Sequence, residues 1–212
     1  MSAISETIVR EYFELHGFFI HQERKAVSPV RREDEEIDFV VWNPKAQPAP
    51  VHLPFVLSSR HLKHIPRAIV VVRGWHTEAF TAAFLNAVPE MLRFLQPETL
   101  QRLEKAYPGP QPLLKLLVAP ELPALDEARQ QSIEFLKSKG LDGVLLFRNV
   151  LADLVDSVEA NRNYQKSDLL QVIRILKKYG FLRGPQLELF NARRARGAAL
   201  SRRSRTNSGP QE

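Results

Sequence analysis

Asp38 is a lone carboxylate inside an otherwise apolar run, Ile-Asp-Phe-Val-Val-Trp at residues 37–42. An acid in such a strand must be ligated, hydrogen-bonded or left at an exposed edge, because burying it bare is too costly. Asp38 is therefore either a site residue or a structural one. Residues 69–73 read Ile-Val-Val-Val-Arg, a second apolar run, and this one ends in a guanidinium. Arg73 can fork onto a phosphate but cannot give up a proton near neutral pH. Trp75 and His76 follow at once, where an aromatic can stack on a base or pack beneath the next helix. Glu11 and Glu14 lie in a helical pattern near the start, and Glu78 just past His76. A glutamate on a surface helix is also an ordinary solubilising group.

Other chemistries have no residues to carry them. There is no cysteine, which removes disulfides, thiolate zinc sites and cysteine nucleophiles. No glycine-rich phosphate loop is present, and the turn at Gly140 to Gly143 lacks the spacing of a dinucleotide fingerprint. The serines lack a nucleophile-elbow context. The six histidines form no pair at metal-binding helical spacing, and His52, His61 and His64 read as solvated residues of one loop. Arg24, Lys25, Arg31 and Arg32 precede Asp38 but are cancelled by Glu33, Asp34, Glu35 and Glu36, so no continuous basic groove results. The net charge of +6 sits at the end of the chain: Arg193, Arg194, Arg196, Arg202, Arg203 and Arg205 face only Glu212, a surplus of five. Such a tail either solvates the terminus or binds phosphates.

The elements that must position these groups follow from periodicity. With 44% hydrophobic and 25% charged residues in 212, the chain can bury a proper core. Its first ten residues lack the order of a signal peptide, and no apolar run is long enough to span a bilayer. A soluble cytoplasmic protein without a membrane partner is expected. Ile4, Ile8, Val9, Tyr12, Phe13 and Leu15 predict a helix stopped at Gly17. Strands are expected at 18–22, 37–42, 68–72, 113–118 and 144–147, the one at 68–72 buried on both faces. The proline-rich stretch 44–66 reads as loop, with brief edge pairing at 51–57. An apolar helical face runs from Phe80 to Leu95 and is divided at Pro89, a short helix follows at 98–107, and another is capped by Asp126 and runs to Lys139. Alternating strands and helices imply parallel pairing with helical cover, an α/β fold. Two more helices, 151–160 and 168–179, the second capped by Ser167 and stopped by Gly180, precede a short strand at 187–190. They suit a cap on the sheet or a small winged-helix-like module. The expected organisation is an α/β core over 1–150, a helical C-terminal extension over 151–191 and a basic disordered tail over 192–212.

In this order of elements the chain resembles the restriction-endonuclease-like nuclease superfamily, whose site is written PD-(D/E)xK. It is similar in particular to the Holliday-junction-resolvase and Mrr-like branches, which have a helix acid, a "GEIDLI"-type strand and a "VEVK"-type strand. Glu35-Glu36-Ile37-Asp38-Phe39-Val40 resembles the first strand motif, and Val70-Val71-Val72-Arg73-Gly74 lies where the second falls, within a likeness over residues 5–150. The resemblance implies a mixed central sheet flanked by helices. It also implies two carboxylates holding Mg²⁺, which activates a water and offsets charge on the phosphate, with a lysine to orient that water. On that basis Asp38 carries over as the first metal ligand and Glu11 as the helix acid, with Glu14 as its substitute. The second acid is replaced by Val71 and the lysine by Arg73, and Glu78 is the candidate for an acid moved to the following helix. The implied catalytic residues are Asp38, Arg73 and Glu11; the implied metal ligands are Asp38, Glu11 and Glu78. Nucleic acid would meet Arg73, Trp75, His76, Arg193, Arg194 and Arg196. The expectation is a nuclease-like domain, catalytically impaired and requiring no cofactor, that binds nucleic acid, DNA before RNA, or a DNA-processing protein. Two alternatives stay open: an active Mg²⁺-dependent endonuclease with a rearranged site, and a non-enzymatic protein-interaction domain.

Overall fold

Apolar side chains three and four residues apart build α1 (Ala3–Leu15), which buries Ile8, Val9, Tyr12 and Phe13. The computed structural model describes residues 3–22, 37–48, 53–74 and 76–182. Ile4 was expected on the same helix face but is 70% exposed, and buried Ser5 takes the place one step round the helix. Gly17 ends the segment with φ of 81°, a left-handed conformation that suits glycine. The chain forms two compact units, 1–154 and 155–212.

The first unit is built on a six-stranded mixed sheet flanked by helices. Its strands are β1 (Phe19–Gln22), β2 (Phe39–Trp42), β3 (Val56–Leu57), β4 (Arg67–Val72), β5 (Leu114–Ala119) and β6 (Gly143–Leu146). They lie in the order β1-β2-β4-β5-β6-β3. β1–β2 and β2–β4 pair antiparallel, whereas β4–β5, β5–β6 and β3–β6 pair parallel. The parallel pairing inferred from alternation thus holds where helices make the crossovers, and the two strands before the proline-rich stretch add antiparallel. β4 is buried along its whole length, and β3 pairs at the edge.

Alternation puts Val40, Ile69, Val71, Leu117, Ala119 and Val144 on one face, in a core shared with Phe80, Leu85, Met91, Phe94 and Leu136. That face is covered by α3 (Ala82–Ala87), a 3-10 helix (Pro89–Leu95), α4 (Pro97–Ala106) and α5 (Asp126–Ser138). Pro89 does divide the apolar stretch, at the start of the 3-10 helix. Within α3 Leu85 is buried while Ala83 and Ala87, expected on the apolar face, are exposed. α1 supplies nothing to that core and packs against β1 and β4 from the other layer. His16 Nε2 and Asp153 Oδ2 lie 2.8 Å apart, tying the end of α1 to α6 (Phe147–Ser157).

Three local expectations are corrected. Asp126 is the first residue of α5 rather than its cap; Leu125 holds that position without a side-chain bond, and Asp126 acts only through its charge near the helix start. Phe147 does not close β6 but opens α6, the strand passing straight into the helix. The stretch read as loop holds a short helix, α2 (Ser59–Leu62), where the Ser58 N–H donates to His61 Nδ1 at 3.0 Å. Among the described residues no helix is long and apolar enough to cross a membrane.

In the second unit α7 (Asp168–Lys178) begins at Ser167, whose hydroxyl accepts from the Leu170 N–H at 3.2 Å. It ends in a Schellman motif: the Gly180 N–H donates to Lys177 O at 3.1 Å and the Phe181 N–H to Leu176 O at 2.8 Å. Gly180 supplies the positive φ of 78° that this motif requires. The strand expected at 187–190 and the tail lie outside the described residues.

Candidate functional site

Two of the groups singled out from the sequence, Asp38 and Arg73, meet at the C-terminal end of β4. β2 runs antiparallel to it, with Phe39 opposite Val70, so continuing the register one step sets Asp38 across from Val71. Asp38 and Arg73 then share the sheet face that carries Val40 and Val71. Both are buried, at 6% exposure each, and Arg73 Nη1 lies 4.0 Å from Asp38 Oδ2. The same carboxylate oxygen accepts the Val72 N–H at 2.7 Å. Arg73 donates to Val72 O at 3.3 Å and to Met91 O at 3.2 Å, and its backbone N–H donates to Val118 O at 2.9 Å. The pair therefore ties the entry to β2, the end of β4 and the 3-10 helix together. A phosphate could reach this guanidinium only by displacing contacts that hold the sheet to its covering helices.

The remaining candidates fall elsewhere. Glu11 is buried on α1, in the other layer, with Arg10 as an ion-pair neighbour at 3.8 Å. Glu14 and Glu78 are exposed. Val71 is fully buried in the core. Among the described residues no three His, Asp or Glu side chains gather into a set able to hold a metal ion, so Asp38, Glu11 and Glu78 do not form the expected ligand set. Trp75, Arg193, Arg194 and Arg196 lie outside the described residues.

His76 is exposed, yet its ring is held from two sides. Its Nε2 lies 3.2 Å from Ser5 Oγ, and its ring centroid is 4.5 Å from that of Phe147. Gly74 makes this approach feasible, since a Cβ there would lie 2.6 Å from Ser5 Oγ. Ser5 and Phe147 had no signal of their own in the sequence. The glycine after a buried strand was the one clue to a close neighbour, and it could not say which. Ends of parallel strands are common places for ligands in α/β sheets, and His76 is a candidate that faces solvent there.

Two titratable groups feel their surroundings. Burial, with the Asp153 carboxylate second, pushes the Tyr12 phenol well above its ordinary range. Partial desolvation, then Arg60 and His64, holds the His61 imidazole below its usual value. A separate cleft of about 310 Å³ opens among Leu85, Leu92, Arg93, Phe135 and Lys139, and neither Asp38, Arg73 nor His76 lines it. Comparison of the chain with family models, with curated proteins and with solved structures gave no match.

Proposed function

We propose that this protein binds nucleic acid on a nuclease-like α/β scaffold whose former catalytic position has become structural. The observation that carries the reading is the environment of Asp38. Its carboxylate is buried, accepts a backbone N–H at 2.7 Å and faces an arginine at 4.0 Å, an arrangement suited to holding strands rather than a metal. Val71 offers no oxygen in the place of a second acid. Binding then rests on cations outside the sheet. Residues 155–212 carry twelve Arg and Lys against five acids, whereas residues 1–154 carry eighteen against nineteen. The surplus is confined to the end of the chain, where it can neutralise phosphates. DNA is the preferred polymer on the strength of the sequence resemblance.

Mobility shift with duplex, branched and single-stranded DNA should give salt-dependent binding at micromolar protein, with no cleavage in Mg²⁺ or Mn²⁺. Absence of binding to all three polymers would leave the reading without support. Metal-dependent cleavage that disappears in Asp38→Ala would restore the active-enzyme alternative.

A further inference from the structure

α7 is apolar on two sides. One side buries Leu170 and Ile173. The other carries Val172, Ile175 and Tyr179, spaced three and four apart and exposed by 52%, 42% and 71%. Phe181 follows at 79% exposure. Large apolar groups clustered in water mark an interaction surface, and scattered single ones do not. A hydrophobic contact between Phe181 and Leu176 often accompanies the motif that ends this helix, but at 79% exposure Phe181 keeps most of its ring in water. The two backbone bonds from Gly180 and Phe181 nonetheless fix its main chain, so both rings sit on a capped end.

We infer that Tyr179 and Phe181 form a stacking platform for the bases of single-stranded nucleic acid; this deepens the reading above and rests on it. The occupant is chosen by charge and ring chemistry together. Lys178, next to Tyr179 in the chain, is exposed, and by sequence residues 155–212 carry a surplus of seven positive charges. Exposed aromatic faces in a segment of positive net charge match a polyanion whose bases are unpaired and free to stack. A duplex offers phosphates but hides its base faces, so it would use the cations and ignore the rings. A membrane-surface helix would need a longer apolar face with its opposite side in water, and the opposite side of α7 is buried.

The test uses the full-length chain, a labelled oligothymidylate and a duplex of the same length, followed by fluorescence anisotropy. Tyr179→Ala with Phe181→Ala should weaken the single strand at least about tenfold and leave the duplex within about twofold. Tyr179→Phe with Phe181→Tyr should restore single-strand binding, because ring faces rather than the hydroxyl do the stacking. Removing residues 193–212 should weaken both polymers. Equal losses on both polymers in the double alanine variant, or no loss on either, would overturn the platform while leaving nucleic-acid binding intact. If the unaltered chain binds neither polymer, the platform and the reading beneath it fall together. A change in sedimentation or in vesicle binding, with oligonucleotide affinity unmoved, would assign the stripe to another occupant and overturn the platform too. The altered side chains are exposed, so the thermal midpoint should not move and a misfolded variant would be evident.

Discussion

At the end of β4, a carboxylate and a guanidinium are buried together and spend their hydrogen bonds on the chain itself. At the end of α7, two rings and a lysine stand in water on a helix whose C-terminus is closed by backbone hydrogen bonds. Both places combine charge with apolar neighbours, yet they serve different ends. A charge held at 6% exposure is committed to the fold, because removing its partner leaves the other uncompensated. An exposed ring contributes almost nothing to the fold and is available for a ligand. Burial, rather than residue type, separates a charge committed to the fold from one left at the surface.

The largest effect should come from breaking the buried pair. Asp38→Ala leaves Arg73 without its carboxylate and Val72 without its acceptor, and should cost about 3–5 kcal/mol in urea denaturation. Folded variant should still bind oligonucleotide; loss of binding without loss of stability would make Asp38 a site residue and erase the contrast. Next, deleting residues 193–212 should leave the denaturation midpoint in place and reduce affinity at physiological salt by at least about tenfold, with a shallower salt dependence. A lower midpoint would show the tail to be part of the fold. Gly74→Ala should cost about 1–3 kcal/mol through the clash with Ser5 Oγ. In a Ser5→Ala background the penalty should shrink, and purely additive losses in the double-mutant cycle would mean that the contact does not constrain the site.

The smallest effect concerns α2. His61 titrates lower in the folded chain than its ordinary value of 6.5, so the unfolded chain binds the proton more readily. Its contribution is complete above that ordinary value and is lost as pH falls from there through the lower folded value. Protonated Nδ1 becomes a donor and can no longer accept the Ser58 N–H. Protection of the Ser58 amide, its exchange relative to the intrinsic rate at each pH, should therefore fall on acidification, and His61→Ala should lack that protection at every pH. An exchange rate with the same pH profile in both proteins would remove this link.

The β4 region was the more legible of the two contrasted places, though not in its meaning. A run of β-branched residues announced a strand buried on both faces, and the register with β2 did bring Asp38 beside Arg73. The sequence could not say whether that carboxylate would face solvent or a backbone N–H, because the deciding partners, Val72 and the Met91 carbonyl, are distant in the chain or belong to the main chain. At α7 the helix, its serine cap and its glycine stop were all readable from local spacing. Its second apolar stripe was not, since one period of apolar residues looks the same whichever side is buried.

Local chemistry along the chain was enough to place most of the strands and helices, and to show that they alternate and that positive charge collects near the end. Such features depend on side-chain periodicity and on residues such as Gly17, Pro89 and Gly180, which act on their immediate backbone. Tertiary structure alone decided which charges are matched and which rings remain in water. Solvent exclusion is a collective property of residues brought together from far apart, and no window of sequence contains both sides of the contact.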